Sequence, residues 1–318
     1  RRNLLQLSRV MGAYRIRLAI FVAAIAVSPP SIASTCSCAS VPLLGTMESA
    51  SPNENQWFLA TTYEFHDVSE LVAGSSTIPD QTGRDRQSQA LVFEISRGLT
   101  EKWSVSALLS AVEHEREISG QLDRASGVGD AVVMLKYSPA SISVYSKNAL
   151  SFGLGSRLPI GEDDARSQFT TLAEDLQPST GAYAGLLWAY YARALNESAG
   201  AQVYVSASHT INGDNDRNYQ FGDSTSVALG GSYQTQSPWG FGLEILYRHA
   251  KRDERNSVEI PNTGGDWLDI VPAVQYHATE TLAVKASVKI PLTRDLNDSL
   301  QFTTRYAARL SLSYLFGE

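Results

Sequence analysis

The chain has 318 residues, 43% hydrophobic and 19% charged, with 26 Lys and Arg against 33 Asp and Glu and a formal net charge of −7. An acidic balance with no basic cluster argues against nucleic acid as a partner, because such surfaces are built on Lys and Arg contacts to phosphate. A mean hydropathy of −0.15 argues against a bundle of membrane-spanning helices.

The first segment reads as an export signal. Arg15 and Arg17 precede the apolar run Leu18-Ala19-Ile20-Phe21-Val22-Ala23-Ala24-Ile25-Ala26-Val27, which is too short to span about 30 Å of hydrocarbon. Ser28-Pro29-Pro30 breaks the run, and Ser31-Ile32-Ala33 offers the small residues of a signal-peptidase site. Residues 1–33 are therefore expected to be a cleaved signal peptide, with 1–10 an extension upstream of Met11. Cleavage removes five arginines and no acid, taking the net charge from −7 to −12.

Residues 34–55 come next, as a periplasmic segment. They hold the chain's 2 cysteines, Cys36 and Cys38, which cannot staple a domain. Three alternatives stand: inert thiols, a C-x-C thiolate pair for a soft metal, or lipidation at Cys36, where Ala33 occupies the position that usually carries Leu.

From there the chain is all-β. Twelve period-two runs are predicted, near 56–65, 88–97, 103–113, 128–138, 148–159, 180–192, 201–211, 222–235, 240–251, 266–277, 281–291 and 305–316. In the eleventh, Leu282, Val284, Ala286, Val288 and Ile290 share one face, and Lys285, Ser287 and Lys289 the other. The links alternate between long and short. Segments 66–87, 114–127, 160–179, 212–221, 252–265 and 292–304 are long, and most of the others are short. A Greek-key sandwich has no reason to order its links this way. An up-and-down antiparallel transmembrane β-barrel of about 12 strands, covering 56–316, does. Hydrocarbon leaves no partner for a sheet edge, so the last strand must pair with the first. Aromatics at strand ends, among them Trp57, Trp103, Tyr137, Trp188, Tyr190, Tyr233, Tyr276, Tyr314 and Phe316, are expected to form interfacial girdles. The ending Leu310-x-Leu312-x-Tyr314-x-Phe316 looks like the signal read by the barrel-assembly machinery, with Gly317-Glu318 trailing it.

Gly127-Val128-Gly129-Asp130 could suggest a phosphate loop. It leads into Ala131-Val132-Val133-Met134-Leu135-Lys136-Tyr137, a strand rather than a helix, so the turn opens a strand and supplies no helix N-terminus. Asp130 is expected to cap backbone N–H groups of its own turn. This Gly-x-Gly-Asp start, Gly153-Leu154-Gly155-x-x-Leu158-Pro159-x-Gly161, Leu176-Gln177-Pro178-Ser179-Thr180-Gly181 and Ile290-Pro291-Leu292 resemble, in order, the outer-membrane family named for MetA-pathway phenol degradation. Where that family usually has Gly, this chain has Ser179. The resemblance implies outer-membrane passage of small, often aromatic, molecules.

If Leu310 and its partners face lipid, projection puts Glu94, Asp130, Lys136, Arg157, Glu244, Arg248, Asp269, His277, Lys285, Lys289, Arg305 and Arg309 inside. These candidates either line a path for solute or form an ion-pair network filling a polar interior. The acidic stretches Glu162-Asp163-Asp164, Asn212-Gly213-Asp214-Asn215-Asp216 and Asp295-Leu296-Asn297-Asp298 read as solvated loop tips. Ser208-His209-Thr210-Ile211 resembles the strand segment of outer-membrane lipid hydrolases, with Ile211 where a serine nucleophile would stand.

The sequence thus predicts a non-enzymatic outer-membrane channel for a small, hydrophobic or aromatic solute. It would have lipid, lipopolysaccharide and the assembly machinery as partners, and no cofactor. The alternatives are a structural or metal-linked surface barrel with a closed lumen, and a lipid hydrolase. Residues 34–55 could block the lumen.

Overall fold

The computed structural model describes residues 52–81, 83–141, 147–167, 170–195, 200–298 and 300–317. Cys36, Cys38 and the signal segment lie outside them.

Twelve strands form the wall: β1 (Trp57–Asp67), β2 (Asp85–Gly98), β3 (Trp103–Ile118), β4 (Gln121–Ala140), β5 (Asn148–Leu158), β6 (Ala184–Ala194), β7 (Ala201–Asn212), β8 (Ser224–Gln234), β9 (Trp239–Ala250), β10 (Gly265–His277), β11 (Leu282–Leu296) and β12 (Tyr306–Phe316). Each pairs antiparallel with its chain neighbours, and β1 closes the barrel on β12 from Trp57↔Phe316 to Asp67↔Tyr306. Closure leaves no wall edge, which is what a sheet in hydrocarbon requires.

Parity divides the two surfaces. On β9, Phe241, Leu243, Ile245 and Tyr247 are exposed outside, while Gly240, Arg248 and Ala250 are buried inside. The outer face of β5, β8 and β12 carries Leu154, Leu229 and Leu310 in the same way. A contiguous apolar surface of this extent does not face water in a soluble monomer; against hydrocarbon it needs no cover. Aromatic pairs mark the rim at the short turns: Trp57 stacks on Phe316, Trp103 meets Tyr137 at 4.8 Å, and Trp239 meets Tyr276 at 4.9 Å.

Two expectations are corrected. The link 114–127 is no loop. β3 and β4 continue as a hairpin to Ile118↔Gln121, and the turn is Ser119-Gly120 with φ of 52° and 81°. Both turn residues take the left-handed conformation that matches strand twist, and Gly120 does so without strain. Cross-strand pairs Arg116–Asp123 and Glu115–Arg124 hold the extension, so charge there signalled a strand with two wet faces. The second correction concerns Trp188 and Tyr190. Both point inward and are 7% exposed. β6 reads AGLLWAYYARA, apolar on both faces, so alternation could not set its parity.

Candidate functional site: the barrel lumen and its mouth

The inner wall is two-sided. Across β2 to β6, Val92, Leu108, Val132, Met134, Leu186, Trp188, Tyr190 and Ala192 pack into one buried cluster. From β7 round to β1 the inner face is richer in hydroxyl and amide side chains, with Tyr204, Leu246 and Val271 among them. Ser206, Ser208, Ser224, Ser226, Gln275, Ser287, Ser311 and Thr62 help line a cavity of about 550 Å³. It runs from Gln202, Gln234 and His277 near the short turns to Thr210 and Ser224 near the opposite mouth.

Lumenal glycines let side chains on flanking strands meet over a middle one. Gly153 of β5 stands between Lys136 of β4 and Trp188 of β6 in one row. The Lys136 ammonium sits 5.3 Å from the Trp188 ring centroid, and a Cβ on Gly153 would come within 2.6 Å of Met134 Sδ and 3.3 Å of Trp188 Cε3. Gly230 of β8 likewise stands between Tyr204 and Glu244. The Tyr204 hydroxyl donates to Glu244 Oε2 at 2.9 Å, and a Cβ on Gly230 would overlap the phenol ring. Tyr190 is flanked by Trp188 at 5.8 Å and Tyr204 at 5.9 Å, which makes a continuous aromatic strip. Gly230→Val is expected to push Tyr204 off Glu244 and cost about 1–3 kcal/mol by overpacking, read as a lower urea midpoint in lipid.

Of the twelve residues projected inward, Glu94, Asp130, Lys136, Arg157, Glu244, Arg248, Asp269, Lys285, Lys289 and Arg309 have the inward parity of the wall. Arg309 Nε is 2.7 Å from Glu64, Lys289 is 3.8 Å from Asp269, and Arg157 is 3.3 Å from Asp130. Ser96 donates to Glu94, and Arg248 lies 3.7 Å from the Trp267 ring centroid. Glu244 and Lys285 line the cavity with Arg309. His277 is at the short-turn end of the cavity. Arg305 is not lumenal: its side chain is largely exposed at the rim, 3.9 Å from Asp67.

Asp130 does not cap its own turn. It sits where β4 bulges against β3, between Leu109↔Ala131 and Ala111↔Val128. Its carboxylate accepts from the Ser179 hydroxyl, from the Thr180 hydroxyl at 2.6 Å and from the Thr180 N–H at 3.3 Å. Gly127 and Gly129 let Pro178 lie against the wall, since a Cβ on Gly127 would meet the proline ring at 3.3 Å. Gly127-x-Gly129-Asp130 and Pro178-Ser179-Thr180, two motifs well apart in sequence, therefore meet as one latch.

The segment so latched crosses the mouth. Leu176 and Gln177 are fully buried, with Leu176 against Ala125 and Leu172. Asp175 pairs with Arg86 of β2 at 2.6 Å. Its neighbour Glu174 pairs with Arg217 from the β7–β8 connection and with Arg255 from the β9–β10 connection. β2 and the β9–β10 connection stand four strands apart round the ring, so Glu174 and Asp175 together link separate parts of the mouth. Hydrogen bonds to Glu174 raise the pKa of Arg217 and hold it charged despite partial burial. A second connection folds in from the other side. Val72 packs on Ala250, Trp267 and Leu296, and Glu70 takes Arg294 Nη1 at 2.5 Å.

The stretch 212–216 is not simply a solvated tip. Asn212 and Asn215 are buried, and Asn215 Oδ1 accepts from the N–H groups of Arg217 and Tyr219 while its Nδ2 donates to Glu174. Next to it the Tyr219 hydroxyl donates to Asp253 Oδ2 at 2.6 Å. Burial raises the pKa of both groups, which keeps the phenol protonated as donor. His209 faces outward, with Nδ1 2.9 Å from Thr225 Oγ1 across the ladder. Among the described residues no cluster of three or more His, Cys, Asp or Glu side chains is arranged to hold a metal ion.

No family model and no curated protein matches the chain. Solved structures do. An outer membrane channel from Pseudomonas putida F1 superposes with a TM-score of 0.69 at 13% identity, over 86% of this chain and 98% of that one. The likeness is one of fold. The transport unit of the autotransporter AIDA-I from Escherichia coli superposes with a TM-score of 0.50 at 10% identity, over 89% of this chain and 97% of that one. The CymD monoaromatic hydrocarbon channel aligns with a TM-score of 0.41 at 12% identity, over 92% and 95%.

Proposed function

We propose that this chain is an outer-membrane channel through which a small solute passes passively, with the short turns in the periplasm and the latched mouth outside. The observation that carries the reading is the cavity of about 550 Å³, lined by hydroxyl and amide groups on one wall and aromatic rings on the other, inside a closed barrel whose outer face is apolar. A barrel serving only as a surface scaffold has no need of a polar passage beside an aromatic wall. The resemblance to the phenol-degradation family, and the outer membrane channel from Pseudomonas putida F1 as a fold neighbour, support the same reading.

Export through residues 1–33, delivery by the barrel-assembly machinery and contact with lipopolysaccharide belong to this proposal. So does the absence of catalysis. A thiolate role for Cys36 and Cys38 is a separate proposal for the segment ahead of the barrel.

Conductance across a planar bilayer tests the channel. The refolded chain is expected to give discrete steps, and silence from a barrel verified as folded would favour a plugged scaffold. Residues 52 and 53 run against the inner end of β2, where Asn53 and Pro52 carbonyls occupy the space a Cβ on Gly98 would take. A start at residue 52 is accordingly expected to raise the step size relative to a start at residue 34. An unchanged step would place the preceding segment away from the passage.

A further inference from the structure

We infer that the passage favours small, uncharged, polyhydroxylated solutes of monosaccharide size, and this rests on the channel reading above. The cavity lies within the about 300–1,000 Å³ range that holds small molecules, so the lining decides what enters.

The charged groups of the lining are already engaged. Glu244 takes the Tyr204 hydroxyl, Arg309 is joined to Glu64, and Lys285 has a partner. An ion entering sheds water and must compete with these existing partners for what it gains in return. An aromatic hydrocarbon meets the converse difficulty. It strips water from the serine hydroxyls of β7 and β8 and from the Gln202 and Gln275 amides, and gives them nothing back. A neutral polyol replaces those waters bond for bond, because a serine hydroxyl rotates to donate or accept. A sugar ring also carries an apolar C–H face. The strip of Trp188, Tyr190 and Tyr204 borders the same cavity and gives that face a surface to slide along. Hydroxyls on one wall and aromatic rings on the other therefore match one class of molecule on both sides.

Swelling of proteoliposomes tests this, using the wild type and Glu174→Ala, whose loosened mouth keeps a shut gate from being mistaken for an impermeant lumen. The probes are a pentose, a zwitterionic amino acid of similar mass and benzoate. Pentose flux is expected to exceed the other two by about tenfold, the scale one or two net hydrogen bonds can set. Ser208 and Ser226 face each other in one row of the wall. Ser208→Val with Ser226→Val is expected to lower pentose flux about fivefold, while potassium chloride conductance changes less than about twofold. Ser208→Thr with Ser226→Thr, which keeps the hydroxyls, should retain the flux and shows that the altered wall still folds. Flux ordered by size alone, benzoate faster than pentose, or valine variants that pass pentose unchanged would each overturn the inference and leave the channel standing. No swelling by any probe in either protein would overturn the channel reading itself.

Discussion

Asp130→Ala is expected to destabilise the barrel by about 3–5 kcal/mol and to open its latched mouth. Arg157 is 1% exposed, and Asp130 is the carboxylate it meets, at 3.3 Å. Its other contact is the neutral Asn212 side chain at 2.9 Å. Removing the carboxylate leaves a buried guanidinium uncompensated, the most expensive way to break such a pair. The same substitution removes the acceptor for Ser179 and Thr180. Two losses thus come from one residue, and a second substitution separates them. Asp130→Ala with Arg157→Met removes both charges and is expected to recover most of the stability, because a well-packed apolar pair often replaces a buried ion pair without loss. It does not restore the hydrogen bonds to Ser179 and Thr180. The double variant should therefore unfold near the wild-type urea concentration, yet expose 174–182 to protease and conduct in larger steps. A double variant with a wild-type mouth would mean that the pairs of Glu174 with Arg217 and Arg255, and of Asp175 with Arg86, hold the segment without the latch.

This latch also marks how far the sequence could be read. The wall was legible because a lipid-facing strand alternates and its register admits no slip. Both ends of β9, β10 and β12 fall within a residue or so of the alternating runs. Inward projection of Glu94, Lys136 and Glu244 came from the same parity. Parity failed at β6, where Leu186, Trp188 and Tyr190 alternate with Leu187 and Tyr191 and both sets are apolar. The hint lay on the neighbouring strand, in Gly153 and Gly155, whose missing side chains make room for large inward ones. Nothing local showed that Pro178-Ser179-Thr180 would come back to Gly127 and Asp130. That contact joins residues 49 and 50 apart and is set by the closure of the mouth, which periodicity does not encode.

Channel and latch alike require hydrocarbon to touch every second side chain of the wall, and one strand can test that with one substitution type. Leu243 and Leu246 both belong to β9. Leu243 is half exposed on the outer face, near mid-strand, while Leu246 has the inward parity it shares with Glu244 and Arg248. Leu243→Arg places a charge in the lipid core and is expected to cost about 2–4 kcal/mol. Leu246→Arg puts the same side chain into a polar interior beside Glu244, and is expected to cost less than about 1 kcal/mol, since lumenal substitutions escape the lipid penalty. Reversible urea unfolding in lipid vesicles reads both. Because the side-chain period is two, a strand slipped by one residue would exchange the two results, and a soluble barrel would tolerate Leu243→Arg. Equal costs at the two positions would be incompatible with a lipid face on one side and a polar lumen on the other, and the cavity would lose its standing as a passage.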